Sequence, residues 1–260
     1  MFYRDAFLNK RLVQCRNCGH IQVSETPSKE VIAAYYAGAY GVNRNKFVGE
    51  AYLSVMKKRA QAQLQLLERF ISLNGAIVCD IGCGFGAFLA EIHKFTGKSY
   101  GLEFDQAALA HCAARGLTVH RITDETEVDF PERVDLAVLS HVVEHLREME
   151  NTLLRIKASA RYLYIEVPCY RADLSVQFKD QEGHINFFTT QSLTALLQRL
   201  GFRILYLRGA GPSLTTFWSE ARMHRLIRKG RRKITGDWFF DDYSRENDKG
   251  IWIRSIVEAG

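Results

Sequence analysis

The chain has 260 residues, of which 47% are hydrophobic and 25% charged, and its formal net charge is +6. This composition is typical of an ordinary globular protein. The sequence contains no apolar run near the roughly 18 residues that a membrane-spanning helix needs. The N-terminus also lacks the hydrophobic region of a signal peptide. These features exclude a membrane-spanning protein and predict a cytoplasmic one.

The positive charge is confined to one segment of the chain. Residues 222–233, RMHRLIRKGRRK, hold seven Lys or Arg and no acidic residue, and the rest of the chain carries 28 basic against 29 acidic residues. A nucleic-acid-binding surface spread over the whole protein is therefore disfavoured, and the basicity is predicted to be a local patch.

The first 75 residues stand apart from the rest of the chain. They contain the pair Cys15 and Cys18, then a helical pattern that starts near Pro27 or Ser28, and then a longer helical pattern over residues 46–73. From residue 76 onward, short apolar runs rich in β-branched and aromatic residues alternate with helical patterns. These runs occupy 76–82, 99–104, 117–122, 134–140, 162–168, 202–209 and 251–260. Strands that alternate with helices predict a parallel sheet covered on both faces.

A glycine-rich stretch, VCDIGCGFGAF, follows the first of these runs and opens a helix. The glycines allow a tight turn and a close approach of the backbone to a ligand. A phosphate-binding loop of the Walker type needs a Lys after its last glycine, and this stretch has none. Gly82, Gly84 and Ala87 do satisfy the dinucleotide pattern G-x-G-x-x-A, so another feature must discriminate between ligands.

The discriminating residue is Asp80, which lies two positions before Gly82. A carboxylate there would repel a pyrophosphate but suits a ligand that carries an ammonium or sulfonium group. Glu103 ends the next run, where an acid can accept hydrogen bonds from both hydroxyls of a ribose. A nucleoside with a cationic amino-acid tail fits both acids, and that ligand is S-adenosylmethionine. Because a strand-end carboxylate supports little packing, we expect Glu103→Ala to weaken this ligand and barely affect the fold.

Five stretches in order, VCDIGCGFGAF, YGLEFD, VDLAVLSHVVEHL, YIEVP and GHINFFTTQSLTALLQRLGF, resemble the class I S-adenosylmethionine-dependent methyltransferases. The closest subgroup by resemblance is bacterial enzymes that act on small molecules and sugars. The resemblance implies an α/β, Rossmann-like fold with helices on both faces of a seven-stranded, mostly parallel sheet. It also implies the strand order 3-2-1-4-5-7-6, with the last-numbered strand antiparallel.

The resemblance implies a set of cofactor-binding residues. Asp124 matches an acid beside the adenine, although a solvated loop acid is an equal alternative, and Asp135 is expected to be structural. The full predicted cofactor set is Asp80, Gly82, Cys83, Gly84, Gly86, Glu103, Phe104, Asp124 and Ser140.

Two histidines are candidates for the base that takes a proton from the methyl acceptor. His184 lies where related enzymes have a His that borders the acceptor, and we rank it first. His141 ranks second; it belongs to the pattern H-x-x-E-H with Glu144 and His145. That spacing also suits metal ligands, and a divalent metal on these three residues is left open, but we predict no metal. Sugar C-methyltransferases that resemble this chain have a Tyr-His-Glu-His run at this position. This chain has QEGH over residues 181–184 and keeps only the last histidine, which favours an oxygen or nitrogen acceptor.

The segment CRNCGHIQV resembles half of a zinc ribbon found on relatives. A structural zinc site wants four ligands, and the first cysteine pair is missing. We therefore predict a vestigial knuckle without zinc, with completion of the site by His20 and a further residue as the alternative.

The resemblance and the patterns together divide the chain into five parts. They are an N-terminal knuckle-like segment and helix (1–40), a helical lead-in (41–75), the S-adenosylmethionine-binding core (76–210), a basic and aromatic insertion expected to cover the acceptor (211–249) and the last strand of the core sheet (250–260).

The predicted reaction is methylation of oxygen or nitrogen in a small-molecule acceptor. The basic segment suits an anionic acceptor such as a sugar or nucleotide sugar. Two alternatives are an enzyme that methylates RNA or DNA through residues 222–233 and a non-catalytic binding module on the same fold. The first lacks the [DNS]-P-P-[YFW] motif of enzymes that methylate the amino groups of bases, and the second is disfavoured because Asp80, the glycines and Glu103 are intact.

Overall fold

The fold is described from a computed structural model of the chain. The structure describes residues 11–35, 49–128, 130–170, 183–213, 246–248 and 250–260. The basic segment 222–233 and the interior of the predicted insertion lie outside these ranges. The expectation that this insertion covers the acceptor therefore stays a prediction. Among the described helices, none is long and apolar enough to cross a membrane.

A seven-stranded sheet forms the centre of the molecule. Its strands are β3 (Ile77–Ile81), β4 (Lys98–Glu103), β5 (Val119–Arg121), β6 (Val134–Ser140), β7 (Ala160–Pro168), β9 (Phe202–Ser213) and β10 (Gly250–Ala259). Their spatial order is β5-β4-β3-β6-β7-β10-β9. β3 to β7 pair in parallel, and β10 is antiparallel to both of its neighbours. Counted along the sheet strands alone, this is the order 3-2-1-4-5-7-6, so the predicted topology is confirmed.

Helices cover both faces of this sheet. They are α1 (Lys29–Tyr35), α2 (Glu50–Leu67), α3 (Ala87–Ile92), α4 (Gln106–Ala114), α5 (Met149–Ser159) and α6 (Thr190–Arg199). Successive residues of a strand point to opposite faces. Accordingly, Leu136 and Val138 of β6 pack in one apolar cluster with residues of α2 and α3, whereas Ala137 and Leu139 pack in a second cluster with residues of α5 and α6.

The helix that follows β6 does not begin directly after the strand. A short 3-10 turn spans Val143–His145, and α5 starts at Met149. The reason is a contact from a distant part of the chain, because the Glu125 carboxylate accepts the backbone N–H groups of Arg147 and Glu148 at 2.8 Å each. These bonds satisfy donors that would otherwise be left exposed ahead of a helix start.

A second, three-stranded antiparallel sheet joins the N-terminal part to the core. It consists of β1 (Leu12–Gln14), β2 (Ile21–Val23) and β8 (Asn186–Phe187), in the order β1-β2-β8. Cys15 and Cys18 lie in the turn between β1 and β2. Because β8 begins two residues after His184, this small sheet fixes the backbone close to the first-ranked candidate base.

Candidate functional site

A large cleft opens at the carboxyl ends of the parallel strands, the edge at which open α/β sheets bind their ligands. Its volume is about 1070 Å³. The ends of β3, β4 and β6 form its floor, and residues of α1 and α2 form part of its walls.

The glycine-rich loop between β3 and α3 requires glycine for two separate reasons. Gly82, Gly84 and Gly86 have φ angles of 66°, 53° and 71°, in the left-handed region that other residues rarely adopt. A Cβ on Gly82 would also lie 2.7 Å from the Val142 side chain. The loop is therefore held in a shape that leaves its backbone open to the cleft.

Asp80 is the penultimate residue of β3, next to this loop, and is buried. Burial raises the pKa of its carboxyl well above the usual range, and the nearby Glu103 and Cys112 raise it further, while Arg59 acts in the opposite direction. A buried carboxylate of this kind gains most from a cationic partner, because the partner offsets the loss of solvation. An ammonium group entering the cleft would supply one.

Glu103 ends β4 and is bonded to the backbone on both sides of the cleft floor. One carboxylate oxygen accepts the N–H of Gly84 at 2.6 Å, and the other accepts the N–H groups of Phe104 and Asp105 at 2.7 and 2.9 Å. Because this carboxylate connects the glycine loop to β4, we expect Glu103→Ala to lower stability as well as cofactor affinity, in contrast to the expectation from the sequence.

The opposite end of the cleft is lined by three histidines, His141, His145 and His184. His141 follows β6 directly. Its Nδ1 lies 3.1 Å from the carboxylate of Glu144, and its Nε2 lies 3.5 Å from that of Glu166. Burial alone would raise the pKa of Glu144, but the nearby His141, with further contributions from His145 and His184, outweighs burial and lowers the pKa to about 2.

His145 and His184 form a separate contact next to this pair. Their rings meet edge to face with centroids 4.6 Å apart, and Nδ1 of His145 lies 3.0 Å from the carbonyl oxygen of Gly183. Burial, together with the neighbouring His145, lowers the pKa of His184 to about 3. His184 therefore stays neutral at any pH near 7.

A family model described as a methyltransferase domain matches residues 52–207, which include the glycine loop, Glu103 and the histidine pair that follows β6. The chain belongs to this methyltransferase family. S-adenosylmethionine is its cofactor, and the protein is an S-adenosylmethionine-dependent methyltransferase.

Solved methyltransferase structures share the fold at low sequence identity. Magnesium protoporphyrin IX methyltransferase from Synechocystis, solved with S-adenosylhomocysteine, is 13% identical with a TM-score of 0.60, over 90% of this chain and all of the other. An S-adenosylmethionine-dependent methyltransferase from Archaeoglobus fulgidus is 21% identical with a TM-score of 0.54, over 84% of this chain and 99% of the other. A possible histamine N-methyltransferase from Thermotoga maritima is 15% identical with a TM-score of 0.55, over 85% and 98%. A search of curated proteins finds no match.

Eight of the nine predicted cofactor residues line the cleft of this methyltransferase. The exception is Gly86, which lies at the start of α3, where a Cβ would meet Leu117 at 2.6 Å and Cys112 at 2.8 Å. The requirement for glycine at this position is explained by the close packing of α3 against its neighbours. Asp135, expected to be structural, accepts the backbone N–H of Ile77 at 2.9 Å.

Two of the lining residues have partners from distant segments. Asp124 is buried and forms an ion pair with Lys29 of α1, with Nζ 2.5 Å from the carboxylate. The hydroxyl of Ser140 accepts hydrogen bonds from Arg59 at 2.8 Å and from Gln63 at 2.9 Å. Residues of α1 and α2 thus complete the walls of the cleft.

A buried network of charged side chains next to the methyltransferase cleft was not predicted from the sequence. Glu166 of β7 is bonded to Arg59, to Arg254 of β10 and to the hydroxyl of Tyr164. Burial would raise the pKa of Glu166, but the two arginines outweigh it and hold the pKa well below its usual range. A signal for this network does exist in the sequence, because Glu166 and Arg254 each lie among apolar residues in the middle part of a strand.

The histidines and the carboxylate that lie close together in the structure differ from those that the sequence suggested as metal ligands. Among the described residues, Glu144, His145 and His184 place potential ligand atoms within 4.8 Å of one another, whereas the H-x-x-E-H alternative names His141 in place of His184. Cys15 and Cys18 are free thiols in the turn between β1 and β2, with Cys15 exposed.

Proposed function

We propose that this methyltransferase transfers the methyl group of S-adenosylmethionine to an oxygen or nitrogen atom of a small-molecule acceptor, such as a sugar or nucleotide sugar. The observation that carries the proposal is the division of the cleft. Buried carboxylates and backbone groups line one end, and a group of imidazoles lines the other. The first end suits a cationic nucleoside, and the second suits an acceptor that must lose a proton.

At the cofactor end, the residues present fit the group. Asp80 is placed to pair with the ammonium of the methionine part, and Glu103 is placed to accept the ribose hydroxyls. Arg59 also lines the cleft, close enough for its charge to act on Asp80, and we assign to it the carboxylate of the same amino-acid tail. When bound, S-adenosylmethionine supplies an electrophilic methyl carbon attached to a sulfonium.

At the acceptor end, the chain has two tasks. It holds the acceptor atom in line with the methyl group, and such positioning can contribute up to about 7–11 kcal/mol. It also takes the proton that the acceptor loses as the new bond forms, which adds roughly 10²–10⁴-fold. His184 and His141 are the candidates for the second task. The bond to the acceptor forms as the carbon–sulfur bond breaks, and the electron pair stays on sulfur to give S-adenosylhomocysteine.

The test is a panel of acceptors incubated with the enzyme and S-adenosylmethionine. The panel contains nucleotide sugars, free sugars, phenols, primary amines and a transfer RNA, and the readout is S-adenosylhomocysteine released per mole of enzyme. We expect one small-molecule class to give multiple turnovers, with the methyl group on oxygen or nitrogen by nuclear magnetic resonance (NMR). A carbon-methylated product, or turnover with the RNA alone, would contradict the acceptor assignment.

A further inference from the structure

Glu144 is a buried carboxylate that its surroundings leave without hydrogen bonds. Its side chain is 1% exposed, and neither of its oxygens has a hydrogen-bond partner among the described residues. Nδ1 of His141 lies 3.1 Å from one oxygen, which brings an imidazole near but does not satisfy that oxygen. A buried charge is costly unless it is paired, and in proteins its partner is a second charge or a metal ion. Glu144 therefore offers two oxygens to a further partner.

Two histidines come together with this carboxylate at the acceptor end of the cleft. Among the described residues, Glu144, His145 and His184 each place a potential ligand atom within 4.8 Å of the other two. The two imidazole rings meet edge to face, with centroids 4.6 Å apart. Two imidazoles and one carboxylate, with the remaining positions open, are the protein ligands of one class of catalytic zinc sites. The composition of the group is thus that of a metal site.

Hydrogen bonds to the backbone hold these residues together although they come from distant parts of the chain. The N–H of Ile185, the residue after His184, donates to the carbonyl oxygen of Glu144 at 2.9 Å. The side-chain amide of Asn186 donates to the carbonyl oxygen of Leu146 at 2.8 Å. The segment that carries His184 is therefore fixed against the segment that carries Glu144, and the group does not depend on a chance arrangement of side chains.

The ring of His145 is oriented as metal-binding histidines are. Its Nδ1 lies 3.0 Å from the carbonyl oxygen of Gly183. Because a carbonyl only accepts hydrogen bonds, Nδ1 carries the hydrogen and Nε2 holds the lone pair. Histidines that bind a metal through one nitrogen usually donate the other ring N–H to a carbonyl or carboxylate. His145 and His184 both line the cleft, which gives an ion a path to the group.

We propose that Glu144, His145 and His184 bind a divalent transition-metal ion at the acceptor end of the cleft, and that Zn²⁺ is the ion that this set of ligands fits best. Zinc holds such nitrogen and oxygen ligands at about 2.0–2.2 Å, so ligand atoms on one ion lie about 3–4 Å apart. The group would close around the ion by on the order of 1 Å. The proposal revises the prediction of no metal made from the sequence and places His184, instead of His141, among the ligands.

The ion also narrows the class of acceptor, an inference that rests on the proposed function. An open position on the ion suits an oxygen ligand, and a cation lowers the pKa of a hydroxyl whose oxygen it binds. The acceptor is then a small molecule with a hydroxyl group, and its proton is released to solvent while the charge of the ion stays the same. An ion on His184 occupies the lone pair that a base needs. Loss of His184 lowers turnover in either role, and a bound ion distinguishes the two.

The direct test is metal binding by the full chain after treatment with a chelator. Zn²⁺ is counted by mass spectrometry of the metal after dialysis, and the visible spectrum of added Co²⁺ reports nitrogen and oxygen ligands. We expect one ion per chain and a higher melting temperature with Zn²⁺, because a ligand of the folded state stabilises it. Glu144→Gln and His184→Asn should each weaken binding by at least about 10²-fold, since loss of an outer partner alone costs about 10–100-fold.

Two matched controls separate this site from the other metal sites that the chain offers. Replacing both Cys15 and Cys18 by serine removes the thiols of the turn between β1 and β2 and should leave the ion bound. His141→Asn removes a ring beside Glu144 but none of the three ligands, and asparagine tolerates the φ of 58° at this position. It should weaken the ion less than His184→Asn does.

Calorimetric titration with S-adenosylhomocysteine completes the experiment, and its affinity should be the same in the wild type, Glu144→Gln and His184→Asn. A wild type that binds S-adenosylhomocysteine but neither Zn²⁺ nor Co²⁺ would overturn the metal site. So would an ion that is lost in the double cysteine variant, or one that is lost in His141→Asn and kept in His184→Asn. If the wild type fails to bind S-adenosylhomocysteine at all, the proposed function fails instead, so the two failures are distinguishable.

Discussion

The two ends of the cleft differ in how their residues are distributed along the chain. The cofactor end is built from one strand–loop–helix–strand unit, with Asp80, the glycines and Glu103 inside 24 consecutive residues. The acceptor end brings together His141, Glu144 and His184 with a network that extends to residue 254. A local unit leaves a recognisable sequence pattern, whereas a group assembled by the tertiary fold does not.

The comparison predicts that changes at the acceptor end alter the chemistry and leave cofactor binding intact. His184→Asn should lower kcat by about 10²–10⁴-fold, since it removes the first-ranked candidate base. Initial rates with an acceptor identified in the panel, at saturating cofactor, measure this effect. S-adenosylhomocysteine affinity serves as the control and should be unchanged. An unaltered kcat would move the role of base to His141 or show that no base is needed.

Changes at the cofactor end should alter binding and, for Glu103, stability as well. A hydrogen bond to a charged group contributes about 1.5–3 kcal/mol, so Glu103→Ala should weaken the binding of S-adenosylmethionine by roughly one to three orders of magnitude. The melting temperature should fall too, because three backbone N–H groups lose their acceptor. Glu103→Gln should be intermediate in both measurements.

Asp135→Asn is the matched control for Glu103. Its carboxylate also accepts a backbone N–H, from Ile77, but at the opposite edge of the sheet. This variant should lower the melting temperature and leave cofactor affinity unchanged. If Glu103→Ala also lost stability without losing affinity, Glu103 would be a structural residue and its assignment to the ribose would be wrong.

Asp80 should differ from Glu103, because its replacement should raise stability while it weakens cofactor binding. Its folded-state pKa is raised by burial first, so the wild type loses stability as the pH rises above the ordinary pKa of an aspartate. Asp80→Asn lacks this loss and should therefore have the higher melting temperature at pH 7 without ligand. The gain should shrink toward pH 4. A lower melting temperature at neutral pH would show that the ionised carboxylate is stabilised by the protein itself.

The smallest predicted effect concerns His184 and acid stability. Its folded-state pKa of about 3 lies below the value of 6.5 in the unfolded chain, so the unfolded state binds more protons between these pH values. The stability that His184 contributes is present above pH 6.5 and is lost as the pH falls toward 3. In His184→Asn, the decrease in urea midpoint from pH 7 to pH 4 should be smaller. An equal decrease in urea midpoint in the wild type and in His184→Asn would show that His184 is protonated as readily in the folded protein as in the unfolded chain.

Most of the fold was predictable because each strand of the sheet is a short, nearly continuous apolar run. The start of α5 was not, since the bonds from Glu125 that define it come from more than 20 residues away. The surroundings of the histidines were not predictable for a similar reason. The spacing of His141 and Glu144 was visible in the sequence, but the left-handed backbone at 141 and the burial of His184 depend on the packing of β6, β7 and β8.

The most direct test of the account is a set of calorimetric titrations with two ligands that differ in the amino-acid tail. S-adenosylhomocysteine carries the ammonium and carboxylate of that tail, and 5′-methylthioadenosine lacks them but keeps the ribose and adenine. If Asp80 holds the ammonium, Asp80→Asn should weaken the binding of S-adenosylhomocysteine alone. If Glu103 holds the ribose, Glu103→Gln should weaken the binding of both ligands by the same factor. Equal losses for both ligands in Asp80→Asn, or a wild type that binds neither, would contradict the placement of the cofactor.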